Sequence, residues 1–577
     1  MVEGSTGPTV EIGARSRRNG FSRLLSERVA ARIAIVAGAV ALTIPSVIWI
    51  ARDRSVWPWD PSWYGEVSVD LWAALRGDGV SWPGAMLSAF GLKPPGIAWI
   101  GQFSLPLRHV IGSENAMLLS IVATQVVALV LLAVAARRLT GSKLAAATAL
   151  VGLASAPLFL QLGHEYFPES LQTLTVAWVL LIMASARTWR LSLTLTQLGA
   201  ALALGLLAKL TTPLYEGLPA LAALILAVTA PRRELPPWWR DLRVQLSSVL
   251  MVALGVGTVG WYSRNLSAAI AHARDAQSST LYGVTAGPLE RLQSWSQEIR
   301  DASFLPWIGT ALLALIVLAA IIRLAQAMRG RRVRMAANRR SWLTPRFVGL
   351  AATAATIVVV LASLTTARPQ DPRYLLAVVP SVVLWATLLL AWIGIREIAL
   401  AVLVLFAFQY VVATGQELGA FRASRMAYVG LQRPDTGRFS DVLRTIVRQT
   451  CTAQSAGRIN MVGVDYPWLN ANVLEMYAAE EFRFSGRACY YTPLGYAEQD
   501  PAKAWQRLRD FKPPYFIALD YTNPANQLPT AQAETINPND AFNAVDRAVF
   551  QRVRRSRLFA VVPGTEHSGL ILLRAVS

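Results

Sequence analysis

Charged side chains are scarce in this sequence. Lysine, arginine, aspartate and glutamate make up 16% of its 577 residues, and hydrophobic residues make up 54%. Soluble domains average about a quarter charged residues, so this composition excludes an ordinary soluble protein and predicts an integral membrane protein. The sequence also lacks repeats of solenoid or propeller period and low-complexity stretches, which leaves its hydrophobic runs as the main organising feature.

Apolar runs of about 18 to 22 residues recur along the first three quarters of the chain. At about 1.5 Å per residue, a helical run of this length crosses roughly 30 Å of hydrocarbon. We therefore predict about eleven membrane-spanning helices. Their predicted positions are 33–51, 115–136, 144–162, 169–186, 191–208, 213–230, 244–263, 304–322, 347–367, 374–393 and 397–415.

Basic residues fall on one side of the membrane in this arrangement. The arginine-rich N-terminal tail has no clear cleavage site, so the first run predicts a retained anchor with a cytoplasmic N-terminus. Later basic loops, among them "PRRELPPWWRDLR" and "RGRRVRMAANRR", then lie on the same side. This topology requires segment 93–112 to lie outside, as a re-entrant or interfacial helix within one outer loop from Arg52 to Glu114.

The inner loops also explain the net charge of +20, so nucleic acid is not a predicted partner. We divide the chain into a cytoplasmic basic tail (1–32), a transmembrane domain (33–417) with a large first outer loop (52–114), and an extracytoplasmic domain (418–577). In the last domain, strand-like stretches such as "YFIALDY" alternate with helix-like ones such as "PAKAWQRLRDF". This alternation predicts a small α/β fold.

Cysteine is almost absent. Both cysteines, Cys451 and Cys489, lie in the predicted extracytoplasmic domain, where the environment allows a disulfide. The sequence does not place their Cα atoms within bridging distance, so a disulfide and two buried thiols stay open as alternatives.

Ionisable residues are nearly missing from the interiors of the predicted spans, where Glu216 is the one acid or base; Glu169 and Glu397 stand only at the first positions of theirs. An ion-coupled transporter needs acids, histidine or lysine near the middle of the bilayer, so this absence counts against that class. Polar residues gather instead at the predicted outer rim. They are Asp60, Tyr64, Glu66, Asp70, Lys93, His164, Glu165, Glu169, Lys209, Arg264, Asn265, Asp371, Arg373 and Tyr374.

This mixture suits a site that handles a lipid-linked phosphate together with an acceptor hydroxyl. Carboxylates accept a proton, and lysine or arginine holds a phosphate that must leave with its charge. Structural explanations compete with this one. "WDPSW" is typical of a helix start with Asp60 as N-cap and Pro61 as first helical residue. Helix-end acids and interfacial anchors are the alternatives for Lys93, Glu165, Glu169, Lys209 and Arg264.

The order of the short motifs resembles a known family. "DPSWY" and "KPPG" lie in the first outer loop, and "HEYFPES", "WYSRN" and "DPRYLLAVVP" follow along the chain. Over residues 25 to 395 this order is similar to that of GT-C membrane glycosyltransferases, in the group of protein O-mannosyltransferases and lipid A aminoarabinose transferases. The resemblance implies an all-α polytopic bundle with juxtamembrane helices in its outer loops, followed here by the α/β domain.

The resemblance also implies roles for individual residues. Asp60 matches the family's catalytic base, and Tyr64 matches the tyrosine that follows it. Pro61 stands where the family carries a second acid, so Glu66 or Glu169 is expected to fill that role. The remaining candidates are expected to bind substrate: Lys93, Glu165, Lys209, Arg264, Arg373 and Tyr374.

The implied activity is that of a glycosyltransferase of EC 2.4 type, transferring a hexose or pentose from a polyprenyl phosphate. The acceptor, a glycan, lipid or protein outside the bacterial cytoplasmic membrane, would lose a proton to Asp60, and the anomeric configuration would invert. Cations would stabilise the departing phosphate. No motif requires a cofactor. The family allows a divalent cation held by outer-loop acids, for which His164 beside Glu165 is a candidate.

Two other classes remain as alternatives. One is a polytopic transporter or flippase of lipids or polysaccharides, against which the uncharged spans argue. The other is a scaffold whose outer α/β domain binds a partner, against which the ordered rim motifs argue. Convergence of Asp60, Lys93, Glu169 and Arg264 on one cavity is the structural arrangement that the enzyme hypothesis predicts.

Overall fold

The computed structural model describes residues 12–576, apart from residues 78–79, 232–238, 240, 279–286, 304–310, 312–313, 315–316, 318–320, 322–343, 367–370, 419–436, 495–497, 499, 520–539 and 564–569. Almost all of the predicted span 304–322 lies outside the described residues, as do the basic segment 329–340 and most of "PRRELPPWWRDLR".

Helices form the first three quarters of the described chain. A chain in hydrocarbon must satisfy its backbone N–H and C=O groups internally, so apolar runs of this length fold as helices. The helices are α1 (Ile12–Arg52), α2 (Trp59–Leu75), α3 (Trp82–Ser88), α4 (Gly96–Gly101), α5 (Arg108–Ile111), α6 (Ser113–Thr140), α7 (Lys143–Ala154), α8 (Pro157–Gln161), α9 (Pro168–Ser185), α10 (Leu191–Ala208), α11 (Thr212–Val228), α12 (Leu242–Ser278), α13 (Pro288–Ser303), α14 (Pro345–Thr366), α15 (Val379–Ile393) and α16 (Arg396–Glu417).

Seven segments of the described chain are helical, long and apolar enough to cross a membrane. Two shorter apolar helices, α7 and α11, accompany them. The protein is therefore a multi-pass membrane protein, and the count of eleven spans stays a prediction. The seven segments are Val29–Arg52, Ser113–Thr140, Leu191–Ala208, Leu242–Asp275, Pro345–Thr366, Pro372–Ile393 and Arg396–Gly415.

Three predicted segments differ in detail from the helices observed. The run 144–162 divides into α7 and α8, because Pro157 lacks an N–H for the ladder of α7 and instead starts a new helix. The run 244–263 is only the first part of α12. Segment 93–112 folds into α4, the 3₁₀ helix Gln102–Leu107 and α5, none of which is long enough to span.

The C-terminal part of the chain forms a five-stranded sheet in the order β2-β1-β3-β5-β4. β1, β2 and β3 are parallel, whereas β5 runs antiparallel to both β3 and β4. The strands are β1 (Ile459–Val462), β2 (Tyr490–Pro493), β3 (Tyr515–Leu519), β4 (Phe559–Val561) and β5 (Leu570–Ala575). The helices around them are α17 (Ser440–Thr450), α18 (Ala471–Phe482), α19 (Pro501–Phe511) and α20 (Asp540–Arg555).

Helices cover both faces of this sheet. On one face α17 and α18 pack against side chains such as Ile517, and on the other α19 and α20 pack against side chains such as Phe516. Every residue of β3 is buried, as befits a central strand covered on two sides. The predicted α/β fold is confirmed. Strand β2 was not predicted, because "YYTP" is short and ends in a proline.

A disulfide joins Cys451 at the end of α17 to Cys489 before β2, with the two Cα atoms 5.6 Å apart. The loop that it closes contains β1 and α18, and α18 packs against α2. The sheet domain is attached to the helical bundle there. Trp59 Nε1 donates a hydrogen bond of 2.7 Å to Asp465 Oδ1, and Arg483 forms two hydrogen bonds with the Asp70 carboxylate.

Candidate active site

Asp60 lies in the first turn of α2 but does not cap that helix. The N-cap residue is Pro58, which has no capping side chain, and the helix begins at Trp59. The prediction of Asp60 as N-cap is therefore wrong, because the tryptophan before the Asp-Pro pair already belongs to the helix. The Asp60 carboxylate pairs instead with Lys93, whose Nζ lies 2.8 Å from Asp60 Oδ1.

Helix α12 holds the loop that leads to Lys93. Trp261 Nε1 donates to the Ala89 carbonyl at 2.9 Å, and Asn265 Nδ2 donates to the Leu87 carbonyl at 3.0 Å. Trp261 is fully buried. Two residues of the "WYSRN" motif thus position the lysine-bearing loop through main-chain carbonyls.

Glycine at position 96 lets the "KPPG" segment approach the end of α10. A Cβ at Gly96 would lie 2.6 Å from the Leu207 carbonyl oxygen, so a larger residue would force the two backbones apart. Lys209 follows directly after α10. The close contact therefore brings Lys93 and Lys209 to the same end of the bundle, where both interact electrostatically with Asp60.

Glu169 and Lys209 form a second ion pair. Glu169 lies in the first turn of α9 with only 1% of its surface exposed, and Lys209 Nζ donates to its Oε1 at 2.6 Å. The other carboxylate oxygen, Oε2, is buried and has no hydrogen-bond partner among the residues that the structure describes. A buried acceptor without a donor costs free energy, so this oxygen favours a ligand that brings a donor.

Arg373 joins the two ion pairs. Its Nη1 lies 3.6 Å from Asp60 Oδ2, and its Nε lies 3.6 Å from Glu169 Oε1. The same Nε lies 2.8 Å from Asp371 Oδ2, and the Asp371 side chain also accepts a hydrogen bond from the Arg373 backbone N–H at the start of the 3₁₀ helix Pro372–Val378. We call this network the ion cluster; its members are Asp60, Lys93, Glu169, Lys209, Asp371 and Arg373.

The two acids that share these cations differ in access. The Asp60 side chain is 27% exposed and that of Glu169 is 1% exposed. Burial by itself would raise the pKa of Asp60, but the charges of Lys93 and Arg373 lower it to about 2. Asp60 is therefore ionised at neutral pH, and it is the acid of the two that an incoming molecule can reach.

Aromatic rings surround the cations. Lys93 Nζ lies 5.0 Å from the centre of the Trp63 ring and 5.9 Å from that of Tyr64, and Lys209 Nζ lies 4.3 Å from the Tyr374 ring. Burial and the neighbouring Asp60 charge raise the pKa of Tyr64, so its hydroxyl stays protonated. These rings contribute cation–π attraction to the two lysine ammonium groups.

Glu66 lies outside the ion cluster. It lies six positions after Asp60 on α2, which rotates the two side chains to different faces of the helix. Glu66 faces the sheet domain, where it interacts with Asp70, Glu475 and Arg483. Asp70, on the same helix, pairs with Arg483 through its carboxylate. Of the two acids proposed to replace the family's second acid, only Glu169 is near Asp60.

Two further predicted residues occupy other surroundings. Glu165 accepts a hydrogen bond from Gln161 Nε2 at 3.4 Å. Arg264 is exposed on α12 and takes part in no ion pair within the described part of the chain. The expected convergence of Arg264 with Asp60, Lys93 and Glu169 is thus not observed, and Arg373 occupies the bridging position.

No metal-binding group of three or more histidine, cysteine, aspartate or glutamate side chains occurs among the residues that the structure describes. His164, the candidate beside Glu165, stacks on Trp49 with ring centroids 4.2 Å apart. The acids of the ion cluster are compensated by lysine and arginine, which is the donor set for an anion and not for a metal.

His272 is a neighbour of the site that sequence reasoning missed. It is half-buried on the extension of α12 and interacts electrostatically with both Lys93 and Asp60. The predicted span ended at residue 263, whereas the helix continues to Ser278. The continuation of α12 beyond residue 263 is the feature that would have revealed His272, because it carries this residue toward the ion cluster.

Residues 92–261 match the family described as dolichyl-phosphate-mannose-protein mannosyltransferase. The matched region contains Lys93, Glu169 and Lys209, and it ends before Arg373. Among curated proteins, none matches the sequence.

The fold is similar to that of ArnT from Cupriavidus metallidurans. The ArnT structure bound to undecaprenyl phosphate is 16% identical, with a TM-score of 0.54 over 94% of this chain and 98% of that one. Apo ArnT gives the same identity and TM-score over 96% and 98%. AglB from Archaeoglobus fulgidus, in complex with an inhibitory peptide and a dolichol-phosphate, is 12% identical with a TM-score of 0.46, over 85% of this chain and 69% of that one.

At these identities the solved structures establish the fold alone. The chain is thus similar over residues 92–261 to a family of membrane mannosyltransferases, and it shares its fold with ArnT.

Proposed function

We propose that the protein transfers a sugar from a polyprenyl-phosphate carrier to an acceptor hydroxyl, on the outer face of a bacterial cytoplasmic membrane. The observation that carries this proposal is the ion cluster, where three cations and three carboxylates meet at the end of the bundle that carries α2. The structure of ArnT with undecaprenyl phosphate supports the carrier class. The disulfide supports an extracytoplasmic location for domain 418–577.

The cations of the ion cluster have a defined task in this reaction. When the bond between the anomeric carbon and the phosphate oxygen breaks, the phosphodiester becomes a monoester and gains one negative charge. Lys93 and Arg373 lie beside the open carboxylate Asp60, where they can hold that phosphate. A leaving group stabilised in this way needs no general acid.

Asp60 is the base in this proposal. The acceptor oxygen attacks the anomeric carbon from the face opposite the phosphate, its proton passes to an Asp60 carboxylate oxygen, and the configuration inverts. A pKa of about 2 makes Asp60 a weak base before the donor binds. An anionic phosphate beside Lys93 and Arg373 offsets the charges that lower this pKa, so donor binding strengthens the base.

Glu169 positions the cations and contacts the donor in this proposal. It is buried, and it holds Lys209 with one oxygen while it approaches Arg373. Its second oxygen, buried without a partner, is available to a sugar hydroxyl. Glu169 therefore orients the two cations and contributes a contact to the donor sugar.

The variant Asp60→Asn tests the proposal, because asparagine keeps the size of aspartate but does not accept a proton at neutral pH. Purified protein in detergent receives a panel of radiolabelled polyprenyl-phosphate sugars and a bacterial envelope extract as acceptor. Transfer by Asp60→Asn is expected to fall by about 100-fold or more. Asp441→Asn, an exposed position on α17, is the matched control and should transfer at the wild-type rate.

Two results would overturn parts of the proposal. Wild-type transfer by Asp60→Asn would remove Asp60 as the base. Absence of transfer by the wild-type protein with every donor of the panel would refute the function itself. Detergent solution has no second compartment, so transfer measured there also excludes the transporter alternative.

A further inference from the structure

The sheet domain has one predominantly basic face. Among the described residues of α19 and α20, every exposed charged side chain except Asp510 is lysine or arginine, and two more cations directly follow these helices. We call this surface the basic face; its cations are Lys503, Arg507, Arg509, Lys512, Arg547, Arg552, Arg554, Arg555 and Arg557.

Apart from Arg547, the cations of the basic face form no ion pair with an acid in the described part of the chain. The contacts present are of other kinds: Arg507 lies 5.4 Å from the Phe511 ring, and Arg552 Nη1 donates to the Pro501 carbonyl at 3.3 Å. A surface of mixed charges is sufficient for solubility. A predominantly positive surface with this many cations therefore indicates an anionic partner.

The position of the basic face decides which anion it can meet. Helices α17 and α18 lie on the bundle side of the sheet, where Arg444 interacts with Glu114 and Glu480 with Ser113, at the start of α6. Helices α19 and α20 lie on the opposite face of the sheet. The basic face is therefore separated from the lipid around the bundle by the sheet and one helical layer.

We propose that the basic face binds an anionic polymer, namely a glycan that carries phosphate or carboxylate groups, and thereby holds the acceptor chain near the ion cluster. Arginine predominates on this surface, and its planar guanidinium pairs with phosphate and carboxylate through two parallel hydrogen bonds. The binding free energies of several such contacts along one polymer add, so contacts that are weak individually give stable attachment together. The proposal rests on the proposed function for the identity of the bound polymer as acceptor.

Binding is measured without any donor, so that its outcome is independent of transfer. Full-length protein in nanodiscs of zwitterionic phosphatidylcholine is titrated into fluorescently labelled polyphosphate, polygalacturonate and neutral dextran at several salt concentrations. The test variant is Arg552→Gln/Arg554→Gln/Arg555→Gln. The matched control, Lys143→Gln/Arg243→Gln/Arg396→Gln, removes the same charge from exposed positions at the far end of the bundle.

Wild-type protein and the control are expected to bind at least one of the two anionic polymers and not dextran, with affinity that falls as salt rises. The test variant should lose about tenfold or more in affinity and show a flatter salt dependence, because fewer counterions are released. Equal binding by test and control variants would overturn the proposal, as would equal binding of dextran by the wild type.

A membrane partner is the competing outcome. If the test variant keeps its affinity for both polymers but loses binding to added vesicles of phosphatidylglycerol, the basic face is a lipid contact and the polymer proposal is wrong. If polymer binding behaves as expected while the wild type transfers no sugar in the detergent assay, the binding surface stands and the proposed function fails.

Discussion

The two faces of α2 carry charged clusters of opposite design. On one face Asp60 belongs to the ion cluster, in which Lys93, Lys209 and Arg373 lie among the acids. On the other face a junction cluster of Glu66, Asp70, Glu475 and Arg483 has a single cation among three acids in the described residues. The pKa of Asp60 is lowered to about 2, whereas burial raises the pKa of Glu475 to about 7.

This difference shows that the ratio of cations to acids, more than burial, decides what an acid on α2 can do. In the ion cluster, three cations matched to three acids keep Asp60 ionised, and Lys93 and Arg373 beside it can turn to a phosphate. Too few cations force the junction acids to share one arginine and retain protons. The first arrangement suits anion chemistry, and the second suits docking between two parts of the protein. Gly65 supports the docking, since a Cβ there would lie 2.8 Å from Met476 Sδ of α18.

The largest effect is expected from Lys93→Met, which removes the cation nearest to Asp60. Transfer should fall by about 100- to 1,000-fold, because the phosphate loses a cation that stabilises its developing charge. The pKa of Asp60 should move up toward its ordinary value. Measured kcat against pH tests both effects. Arg264→Met, an exposed cation outside the ion cluster, should retain near wild-type transfer, and an equal loss there would contradict the assignment of the site.

The next effect is expected from Arg483→Met, which removes the cation of the junction cluster. The remaining acids lose their partner, and we expect a loss of about 1 to 3 kcal/mol in unfolding free energy, since Asp70 is partly exposed. Thermal unfolding of the purified protein provides the measurement. Arg574→Met, at an exposed position of β5, is the control. Unchanged unfolding would show that the junction cluster does not hold the sheet domain on α2.

A smaller effect is expected from Trp59→Phe, which keeps the ring but removes the hydrogen bond to Asp465. The loss should be about 1 kcal/mol of domain attachment. Since Trp59 adjoins Asp60, kcat should fall several-fold while KM changes little. Asp465→Asn retains an acceptor oxygen and should preserve kcat, whereas Asp465→Ala should not. A change confined to KM would indicate that the contact does not position Asp60.

The smallest effect concerns pH. In the unfolded chain Glu475 loses its proton near its ordinary pKa of 4.5, and in the folded protein near pH 7. Between these values the folded state holds more protons, so this residue makes stability fall as pH rises from 4.5 to 7. Glu475→Gln should flatten the pH dependence of the unfolding temperature across that window. An unaltered slope would mean that another group controls it.

Sequence reasoning predicted the composition of the site better than its geometry. Asp60, Lys93, Glu169, Lys209 and Arg373 were all candidates and all belong to the ion cluster. Their residue types and their places next to apolar runs sufficed for that. The choice between Glu66 and Glu169, however, depends on the phase of α2 and on Arg373, which links Asp60 to Glu169, and a single sequence does not contain either.

Arg264 shows the same limit of sequence reasoning, because it was a candidate for the site and lies outside the ion cluster. It stands in a motif whose other members, Trp261 and Asn265, hold the loop before Lys93, yet its own side chain points to the exterior. Position within a motif does not determine direction, since neighbouring residues of a helix point about 100° apart. The bridging role belongs to Arg373, which is more than 300 residues from Asp60 along the chain.

What the sequence determined by itself was local: apolar runs that must become helices in a membrane, an α/β alternation in the last quarter, and polar residues confined to helix ends. What only the tertiary structure decided was the pairing of charges. Lys93 meets Asp60, Lys209 meets Glu169 and Arg373 meets both acids, because helices far apart in the chain pack side by side. Electrostatic interaction depends on distance in space, so the chemistry of each acid is decided only once the bundle has formed.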